Sequence, residues 1–219
     1  MRLLIVPGVL RPLSDGRLLA TKMRELGLAS GARVLDMFTG SGALAVAAEQ
    51  AGASEVTACD LSRRATLNAR LNAAINGVRV EVVRGDLFAP LAGRRFDLVL
   101  ANPPYVPSTA AELPRAGPEL AWEGGIGGRA VIDRFCAEVE AHLMPGGSAL
   151  IVQSSLTGEK QTVQLLQATG LSVSIVARER GPLGPVLLER VAELERQGLL
   201  EPGVREEELL VLRATSPPA

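Results

Sequence analysis

The chain has 219 residues, of which 47% are hydrophobic and 21% are charged, and its formal net charge at pH 7 is −1. This length suits one domain with a substantial core, and the composition excludes a disordered chain. The near-neutral charge gives no general electrostatic attraction to nucleic acid or to an anionic membrane. It therefore disfavours nucleic acid as a partner without excluding it, because a local basic patch would be invisible in the total.

Neither the cysteines nor the first residues indicate export. Cys59 and Cys136 lack a CxxC spacing, and His142, the single histidine, has no metal-ligand partner near it in sequence. Neither a disulfide framework nor a zinc site is therefore predicted. Pro7 and Gly8 interrupt the first apolar stretch too early for a signal peptide or a membrane span. We expect a cytoplasmic protein that has no membrane partner.

The first hundred residues alternate predicted strands and helices. Residues 1–30 are predicted to form an extended lead-in and a helix packed on the core, with Ser14 or Asp15 as the helix cap and Gly27 at its end. The next predicted strands are 32–37, 56–60, 78–83 and 96–101, and the predicted helices are 43–51 and 62–76. This repeated β-α pattern predicts a mostly parallel sheet that is covered by helices on both faces.

The same pattern resumes after a long loop. Residues 106–128 are rich in proline and glycine and are predicted to lack regular structure, and loops of this length tend to be functional. The remaining predicted elements are a helix at 129–143, a strand at 149–153, a helix from Thr157, a strand at 171–177, a helix at 186–197 and a strand at 208–212. We place the main α/β domain at 31–214 and a frayed tail at 215–219.

A stiff turn, Asn102-Pro103-Pro104-Tyr105, follows the fourth predicted strand, and we call it the proline turn. Its two prolines remove backbone donors and fix φ, so the chain leaves the sheet in one shape. The Asn102 side-chain oxygen and the Pro103 carbonyl can each accept a hydrogen of a planar NH2 group, while Tyr105 borders its plane. Such a clamp would aim the nitrogen lone pair at an electrophile. A rigid surface turn without a function fits the same residues.

A second turn, residues 38–42, separates the first main-domain strand from its helix, and we call it the glycine turn. Residues 40–45 satisfy GxGxxA, the weak form of the dinucleotide fingerprint, and Asp60 lies where an acid binds ribose hydroxyls. This pattern alone predicts NAD as readily as S-adenosylmethionine. Asp36 favours the second, because a carboxylate there would repel a pyrophosphate but can accept hydrogen bonds around a cationic methionine group. Asp86 can accept a hydrogen bond from an adenine amino group.

Each of these residues also has a purely structural interpretation. The glycines can serve a tight turn and close helix packing, and the acids can be caps at strand ends. The single tyrosine and the single tryptophan, Tyr105 and Trp122, fall in or shortly after the proline turn, where a planar substrate needs apolar walls. Trp122 can instead be a core anchor. Cys59, Cys136 and His142 are interpreted as packing residues, since no activating partner is near them in sequence.

Taken together, the motifs resemble those of HemK/PrmC-like class I S-adenosylmethionine-dependent methyltransferases. The resemblance runs from about Val9 to Ala214. It rests on the first motif at 36–42, the second acid Asp60, the third motif at 85–88, the NPPY signature at 102–105 and a glycine-rich segment at 122–129. It implies a doubly wound, Rossmann-like, mostly parallel seven-stranded sheet whose last strand is antiparallel.

The resemblance also implies an activity and a set of site residues. The activity is methyl transfer to a planar NH2 group, with the glutamine side-chain amide of a release-factor-type protein as the first choice of acceptor. The implied catalytic residues are Asn102, Pro103, Pro104 and Tyr105, and the substrate-binding residues are Tyr105 and Trp122. The implied cofactor-binding residues are Asp15, Asp36, Phe38, Thr39, Gly40, Ser41, Gly42, Asp60, Leu61, Asp86, Leu87 and Asn102. No metal ligand is implied.

This chain departs from the family pattern at three points. Phe38 stands at the first glycine of the usual first motif, and Gly16 stands where relatives carry a threonine after the acid. From the resemblance we also expect the chain to lack the separate amino-terminal helical domain of the bacterial release-factor enzymes. The chain is thus more similar to short single-domain relatives in eukaryotes and archaea, some of which work with a small zinc-binding protein. We therefore consider a small activating partner.

Three other functions fit parts of the sequence. A nucleic-acid methyltransferase acting on adenine N6 or guanine N2 would use the same proline turn, although few aromatic residues are available to hold an extruded base. A non-catalytic module that binds S-adenosylmethionine would keep the fold without needing the intact turn. An NAD-dependent reductase fits the glycine turn alone.

Overall fold

A seven-stranded sheet forms the centre of the computed structural model, which describes residues 1–108 and 112–219. The described residues form nine strands: β1 (Arg33–Met37), β2 (Glu55–Asp60), β3 (Glu81–Arg84), β4 (Phe96–Ala101), β5 (Val106–Ser108), β6 (Glu123–Ile126), β7 (Leu143–Ser154), β8 (Ser172–Pro182) and β9 (Glu206–Thr215). The order in the sheet is β3-β2-β1-β4-β7-β9-β8. All neighbours are parallel except β9, which is antiparallel to both β7 and β8. The predicted fold class is confirmed.

The register of the sheet brings the predicted site turns to one edge. Met37, the last residue of β1, pairs with Cys59 in β2 and with Ala101 in β4. Asp60 in turn pairs with Arg84 at the end of β3. Four neighbouring parallel strands therefore end side by side, at the edge where open α/β sheets bind their ligands.

Helices cover both faces of this sheet. In chain order they are α1 (Ser14–Glu25), α2 (Ala43–Gln50), α3 (Arg63–Asn76), α4 (Ala130–Glu138), α5 (Glu159–Ala168), α6 (Pro185–Glu189) and α7 (Val191–Arg196). Val34 of β1 packs in one apolar cluster with Leu19 and Met23 of α1, whereas the next residue, Leu35, packs in a second cluster with Phe135 of α4. This alternation explains the apolar strands, since both faces of the sheet are buried. None of the helices in these described ranges is long and apolar enough to cross a membrane.

Several predicted boundaries need correction. Ser14 and Asp15 are the first residues of α1, and neither caps it with its side chain. The predicted helix at 186–197 is divided at Arg190 into α6 and α7. The tail was predicted to fray from residue 215, but its first residues are hydrogen-bonded to the sheet. Ser216 N–H donates to the Gly147 carbonyl at 2.9 Å, and the Pro217 carbonyl accepts Gly146 N–H at 2.9 Å. The pairing of β9 with β7 thus continues beyond the last predicted strand.

The predicted loop at 106–128 is the largest departure. Residues 109–111 lie outside the described residues, but within the rest β5 and β6 pair as a small parallel sheet. Val106 of β5 packs with Leu183, Leu187 and Leu194 in a third apolar cluster. The regular structure was missed because its strands are three and four residues long and are stabilised by residues that follow some 70 positions later.

Candidate active site

A cavity of about 1060 Å³ lies at the carboxyl ends of β1 to β4. Its lining includes the residues that directly follow each of these strands, together with parts of residues 8–13, α1 and residues 112–121. The predicted site residues that line it are Asp15, Phe38, Thr39, Gly40, Ser41, Asp60, Leu61, Asp86, Leu87, Asn102 and Pro104. The fold therefore brings together side chains that are up to 89 positions apart, from Asp15 to Pro104.

Asp36 lies beneath the glycine turn and shapes it. It is fully buried, and its Oδ2 accepts hydrogen bonds from the Thr39 hydroxyl at 2.6 Å and from Ala45 N–H at 2.9 Å. Its Oδ1 has no partner among the described residues. Burial raises the pKa of this carboxyl to about 7, an effect that the two hydrogen bonds oppose. Asp36 thus supports the turn with one oxygen and keeps the other unsatisfied.

Two non-glycine residues of the cavity have left-handed backbones. Phe38 has φ +63° and Leu87 has φ +48°, a region that L-residues rarely occupy. The Phe38 ring packs 6.0 Å from the Phe135 ring, which holds the side chain while the backbone turns as a glycine would. The departure from the family's first motif therefore keeps the turn's shape at a conformational cost of about 1–3 kcal/mol per residue.

Gly42 is required for a different reason, which is space. A Cβ at this position would lie 2.8 Å from the Ala69 Cα atom of α3. The glycine thus lets the start of α2 pack directly on the backbone of α3, and Gly42 itself does not line the cavity. This role matches the helix-packing interpretation made from the sequence.

Asp60, at the end of β2, connects two of the turns. Its Oδ2 accepts Gly40 N–H at 2.9 Å and its Oδ1 accepts Ser62 N–H at 2.8 Å. Burial raises the pKa of Asp60 despite these two bonds. A carboxylate oxygen can accept more than one hydrogen bond, so both Asp60 oxygens remain available to hydroxyl groups placed in the cavity.

Asp86 is more exposed than Asp60, and it pairs with an arginine that was not predicted from the sequence. Its Oδ2 accepts a hydrogen bond of 2.8 Å from Arg134 of α4, which also lines the cavity. Its Oδ1 has no partner within the described ranges. Nothing in the sequence singled out Arg134, because it is one of 21 arginines and lies 48 residues from Asp86.

The proline turn reaches the cavity through Asn102 and Pro104, whereas Pro103 and Tyr105 lie behind the lining. The Asn102 amide makes no hydrogen bond to any described residue, although it lies close to Gly16 of α1. The amide is half-buried at the cavity surface, so water or a ligand in the cavity can hydrogen-bond to it. This free amide is the polar group that the cavity offers at the end of β4.

Tyr105 anchors the proline turn instead of facing the cavity. Its hydroxyl donates to Asp15 Oδ2 at 3.0 Å, and the Asp15 Oδ1 accepts the neighbouring Gly16 N–H. Burial and the carboxylates of Asp15 and Glu207 hold the pKa of Tyr105 well above its usual value, so the phenol stays protonated and donates. Asp15, expected to bind the cofactor, therefore also fixes the turn.

The glycine-rich segment packs directly against the same turn. A Cβ on Gly128 would overlap the carbonyl oxygen of Tyr105, and a Cβ on Gly124 would lie 2.8 Å from the Gly128 Cα atom. These glycines permit backbone-to-backbone contact. Arg129, which follows them, is buried and donates to the Thr157 carbonyl at 2.6 Å. The glycine-rich segment thus packs the proline turn against the start of α4.

Trp122 is not part of the cavity lining. It packs in the third apolar cluster, with Val106 and Leu183. The adjacent Glu123 accepts a hydrogen bond of 2.7 Å from Arg190, and this bond together with one from Ser108 lowers the pKa of Glu123 although burial raises it. The core-anchor interpretation of Trp122 is the one that fits its position.

The two cysteines are packing residues. Both are buried, and burial raises the pKa of Cys59 and of Cys136 to about 12. Neither is a thiolate nucleophile at neutral pH. His142 stacks on Phe88 with 4.2 Å between the ring centroids, away from the cavity.

Comparison with known proteins gives a consistent result. Residues 14–116 match the family model of the methyltransferase small domain. The putative protein N5-glutamine methyltransferase of Methanocaldococcus jannaschii is 34% identical over 188 residues, which are 86% of this chain and 93% of that protein. The release factor glutamine methyltransferase of Deinococcus radiodurans is 43% identical over 139 residues, which are 61% of this chain and 50% of that protein. The chain thus spans nearly all of the archaeal relative but about half of the bacterial one.

Among solved structures, the E. cuniculi Mtq2–Trm112 complex, responsible for methylation of the eRF1 translation termination factor, has a similar fold. The TM-score is 0.68 at 22% identity, covering 95% of this chain and 99% of that one. At this identity the similarity supports the architecture alone.

Proposed function

The chain belongs to the HemK/PrmC-like family of class I S-adenosylmethionine-dependent methyltransferases, and from this membership we propose that it methylates the side-chain amide nitrogen of a glutamine in a protein. One observation carries the proposal: the unpartnered amide of Asn102 lines the same cavity as the glycine turn and Asp60. An acceptor amide bound at the proline turn and a methyl donor bound at the glycine turn would therefore lie in the same cavity.

The described residues fit S-adenosylmethionine in charge and in shape. The buried Asp36 Oδ1 lacks a partner, and a carboxylate in that state favours a nearby cation over a pyrophosphate. The volume of about 1060 Å³ is large enough for a nucleoside with a side chain and for an entering residue. The carboxylate favours a cationic nucleoside over NAD, whereas the volume accommodates either.

We assign the parts of the donor to residues that follow successive strands. Asp60 would accept ribose hydroxyls, Asp86 the adenine amino group, and the glycine turn with Asp15 would border the methionine portion. When bound, S-adenosylmethionine supplies an electrophilic methyl group on a positively charged sulfur.

The chain's own contribution is to hold the acceptor nitrogen. The Asn102 side-chain oxygen would accept one hydrogen of the glutamine NH2. The Pro103 carbonyl would accept the other where the entering side chain passes the lining, behind which Pro103 lies in the free protein. Together the two bonds would turn the nitrogen lone pair away from the conjugated carbonyl. Both bonds strengthen as positive charge grows on the nitrogen, so they favour the transition state over the ground state. Holding the nitrogen in line with the methyl group provides much of the remaining acceleration.

The protein acceptor is proposed from the archaeal and bacterial relatives, whose names specify glutamine. A release-factor-type substrate is our first choice. The dependence on a small partner protein stays a prediction of the family resemblance, and co-expression with candidate partners followed by an activity assay would test it.

The decisive experiment is transfer of radiolabelled methyl from S-adenosylmethionine into a cell extract that is then separated into protein and nucleic-acid fractions. We expect label in protein, on a glutamine side chain identified by mass spectrometry, and far less label when Asn102→Ala replaces the natural chain. Label that is confined to RNA or DNA would favour adenine or guanine as the acceptor. Absence of label in every fraction, with intact S-adenosylmethionine binding, would favour a non-catalytic module.

A further inference from the structure

Three asparagines of α3 bind the backbone of the N-terminal segment, which we define as residues 1–13. Asn68, Asn72 and Asn76 are spaced four residues apart and therefore lie along one face of the helix. Their side-chain oxygens accept the backbone N–H groups of Val6, Leu4 and Arg2 at 2.9, 2.8 and 2.8 Å, respectively. We call this set of side chains the asparagine ladder.

The ladder also donates to the same segment. Asn68 and Asn72 both donate to the Leu4 carbonyl, at 2.8 and 2.9 Å, and Asn76 donates to the Arg2 carbonyl at 2.7 Å. Side-chain amides thus replace the neighbouring strand that an extended chain would otherwise require. Asparagine is unfavourable inside helices and Asn68 and Asn72 are fully buried, so each is tolerable only while the segment satisfies it.

Asn72 connects the segment to the glycine turn. Besides its two bonds to Leu4, its amide donates to the Ser41 carbonyl at 2.9 Å, and Ser41 lines the cavity. The helix that carries the ladder is itself packed directly on Gly42 through Ala69. One buried side chain therefore fixes the segment and the glycine turn relative to each other.

The segment then turns into the cavity. Val9 N–H donates to the Val6 carbonyl at 3.1 Å, and Gly8 between them has φ +85° and lies against the Arg64 side chain of α3. From Gly8 onward, every residue as far as Leu13 lines the cavity. The contacts of residues 2–6 with α3 thus determine where residues 8–13 begin to line the cavity.

We propose that the asparagine ladder positions the N-terminal segment as one wall of the donor cavity, so that residues outside the cavity control the affinity for S-adenosylmethionine. Asn68, Asn72 and Asn76 are positioning residues in this scheme. The proposal rests on the proposed function in that it takes the cavity to be the donor site. Acceptor binding and the transfer step, which depend on the proline turn, do not involve the ladder.

The test removes hydrogen bonds of the asparagine ladder in two ways, by substitutions in α3 and by a substitution in the N-terminal segment. The double variant Asn68→Ala and Asn76→Ala removes four hydrogen bonds to the segment but keeps Asn72, which supports the glycine turn. Leu4→Pro removes the N–H that Asn72 accepts without altering α3, and Leu4→Ala is its matched control, because it keeps that N–H. Calorimetry measures the Kd of S-adenosylmethionine, and hydrogen exchange measures the protection of Arg2, Leu4 and Val6.

We expect the double variant and Leu4→Pro each to weaken S-adenosylmethionine binding about tenfold, since a net loss near 1.4 kcal/mol corresponds to that factor. Hydrogen exchange at the remaining ladder amides should accelerate in parallel. In steady-state kinetics the KM for S-adenosylmethionine should rise while kcat at saturating donor stays unchanged, which a general loss of folded protein would not produce. Leu4→Ala should behave as the natural chain.

The failure of this proposal is distinct from the failure of the proposed function. An unchanged Kd in both ladder variants, with faster exchange at Arg2 and Val6, would show that the segment is released without consequence for the cavity, and would overturn the ladder's role. If the natural chain itself failed to bind S-adenosylmethionine, the assignment of the cavity would be wrong. A drop in kcat with an unchanged KM would also contradict the ladder's role.

Discussion

The glycine turn and the proline turn lie at the same edge of one sheet, but they are held in different ways. The glycine turn is supported from nearby in sequence: Asp36 accepts the Thr39 hydroxyl three residues on, and Asp60 accepts Gly40 N–H twenty residues away. The proline turn is supported from far away, since Tyr105 donates to an acid 90 residues earlier in the chain.

This difference predicts that the two turns fail separately. The glycine turn belongs to one β-α-β unit that contains its own acids, so damage there should change donor affinity. The proline turn is stiff in itself, but its placement depends on Asp15 and on contact with Gly128. Damage there should change turnover and leave donor binding intact. The following substitutions test this separation.

Replacing Asn102 should have the largest effect. Asn102→Ala removes an acceptor that binds the NH2 group more strongly in the transition state, and such groups contribute about 10²–10³-fold to kcat. We expect that loss in kcat with an unchanged Kd for S-adenosylmethionine by calorimetry. Asn102→Asp keeps an acceptor oxygen and should lose less activity. Full activity of Asn102→Ala on the true substrate would eliminate the clamp.

Gly128→Ala should come next. The added methyl group would overlap the Tyr105 carbonyl and displace the proline turn, and a displacement near 1 Å can cost about 10²-fold in rate. Gly146→Ala is the matched control, since both glycines have a left-handed backbone, with φ +72° and +76°, but nothing lies within 4 Å of a Cβ at Gly146. Equal losses of kcat in the two variants would mean that backbone strain, and not contact with the turn, is responsible.

Asp60→Ala probes the other turn. It removes a carboxylate that would accept ribose hydroxyls and that already holds Gly40 N–H, and hydrogen bonds to charged groups contribute about 1.5–3 kcal/mol. The Kd of S-adenosylmethionine should rise about 10- to 100-fold, with little change in kcat at saturating donor. Asp97→Ala, at the opposite end of β4, should leave the Kd unchanged. A loss confined to kcat would contradict the separation of the two turns.

The pH dependence of donor binding should reveal Asp36. Burial raises the pKa of Asp36 to about 7, so the neutral acid dominates below that pH and the carboxylate above it. A cation in the cavity favours the carboxylate form of Asp36, which is buried beneath the glycine turn, and affinity should therefore increase about tenfold from pH 6 to pH 8, with release of a proton on binding. Asp36→Asn should flatten the profile. A slope that persists in this variant would assign the titration to another group.

The same pKa shift predicts how stability changes with pH in the free protein. Because the folded-state pKa lies above the ordinary value of 3.8, the neutral acid stabilises the fold fully below pH 3.8. That contribution is lost as the pH rises to about 7.

The smallest expected effect is that of Tyr105→Phe. Loss of the hydroxyl leaves Asp15 Oδ2 without its donor, and a single hydrogen bond contributes about 1 kcal/mol, or roughly fivefold. We expect kcat to fall by that factor with the donor Kd preserved. Asp15→Asn keeps only one acceptor oxygen, so its NH2 group would face either the Tyr105 hydroxyl or Gly16 N–H, and this variant should lose activity as well. If Tyr105→Phe instead weakened donor binding, the two turns would be coupled through Asp15.

The local sequence pattern was sufficient to predict most of the strands and turns around the glycine turn, which is where we place the methyl donor. The strand before Phe38, the acid at Asp60 and the start of the next helix near Ser62 follow from apolar runs, glycines and polar residues within a few positions of one another. The predicted sheet and its antiparallel last strand were likewise confirmed. Errors in this half were confined to element ends such as the start of α1, where a side chain's partner decides whether it caps the helix.

Most of what the sequence could not indicate depends on contacts between distant residues. Trp122 packs against the third apolar cluster, to which α6 and α7 contribute Leu187 and Leu194. Arg134 of α4 donates to Asp86, 48 residues earlier in the chain. The asparagines at 68, 72 and 76 are visible as a spacing of four, but only the fold shows that a backbone lies against them.

The sequence by itself determined the order of the seven strands of the main sheet, the two turns and the chemistry that each turn carries, because periodicity, proline and glycine act over a few residues. The tertiary structure alone decided which oxygen atoms remain free, which glycines touch another backbone and which side chains face the cavity. Those properties depend on packing between elements, and packing is fixed only when the whole sheet has brought its strand ends together.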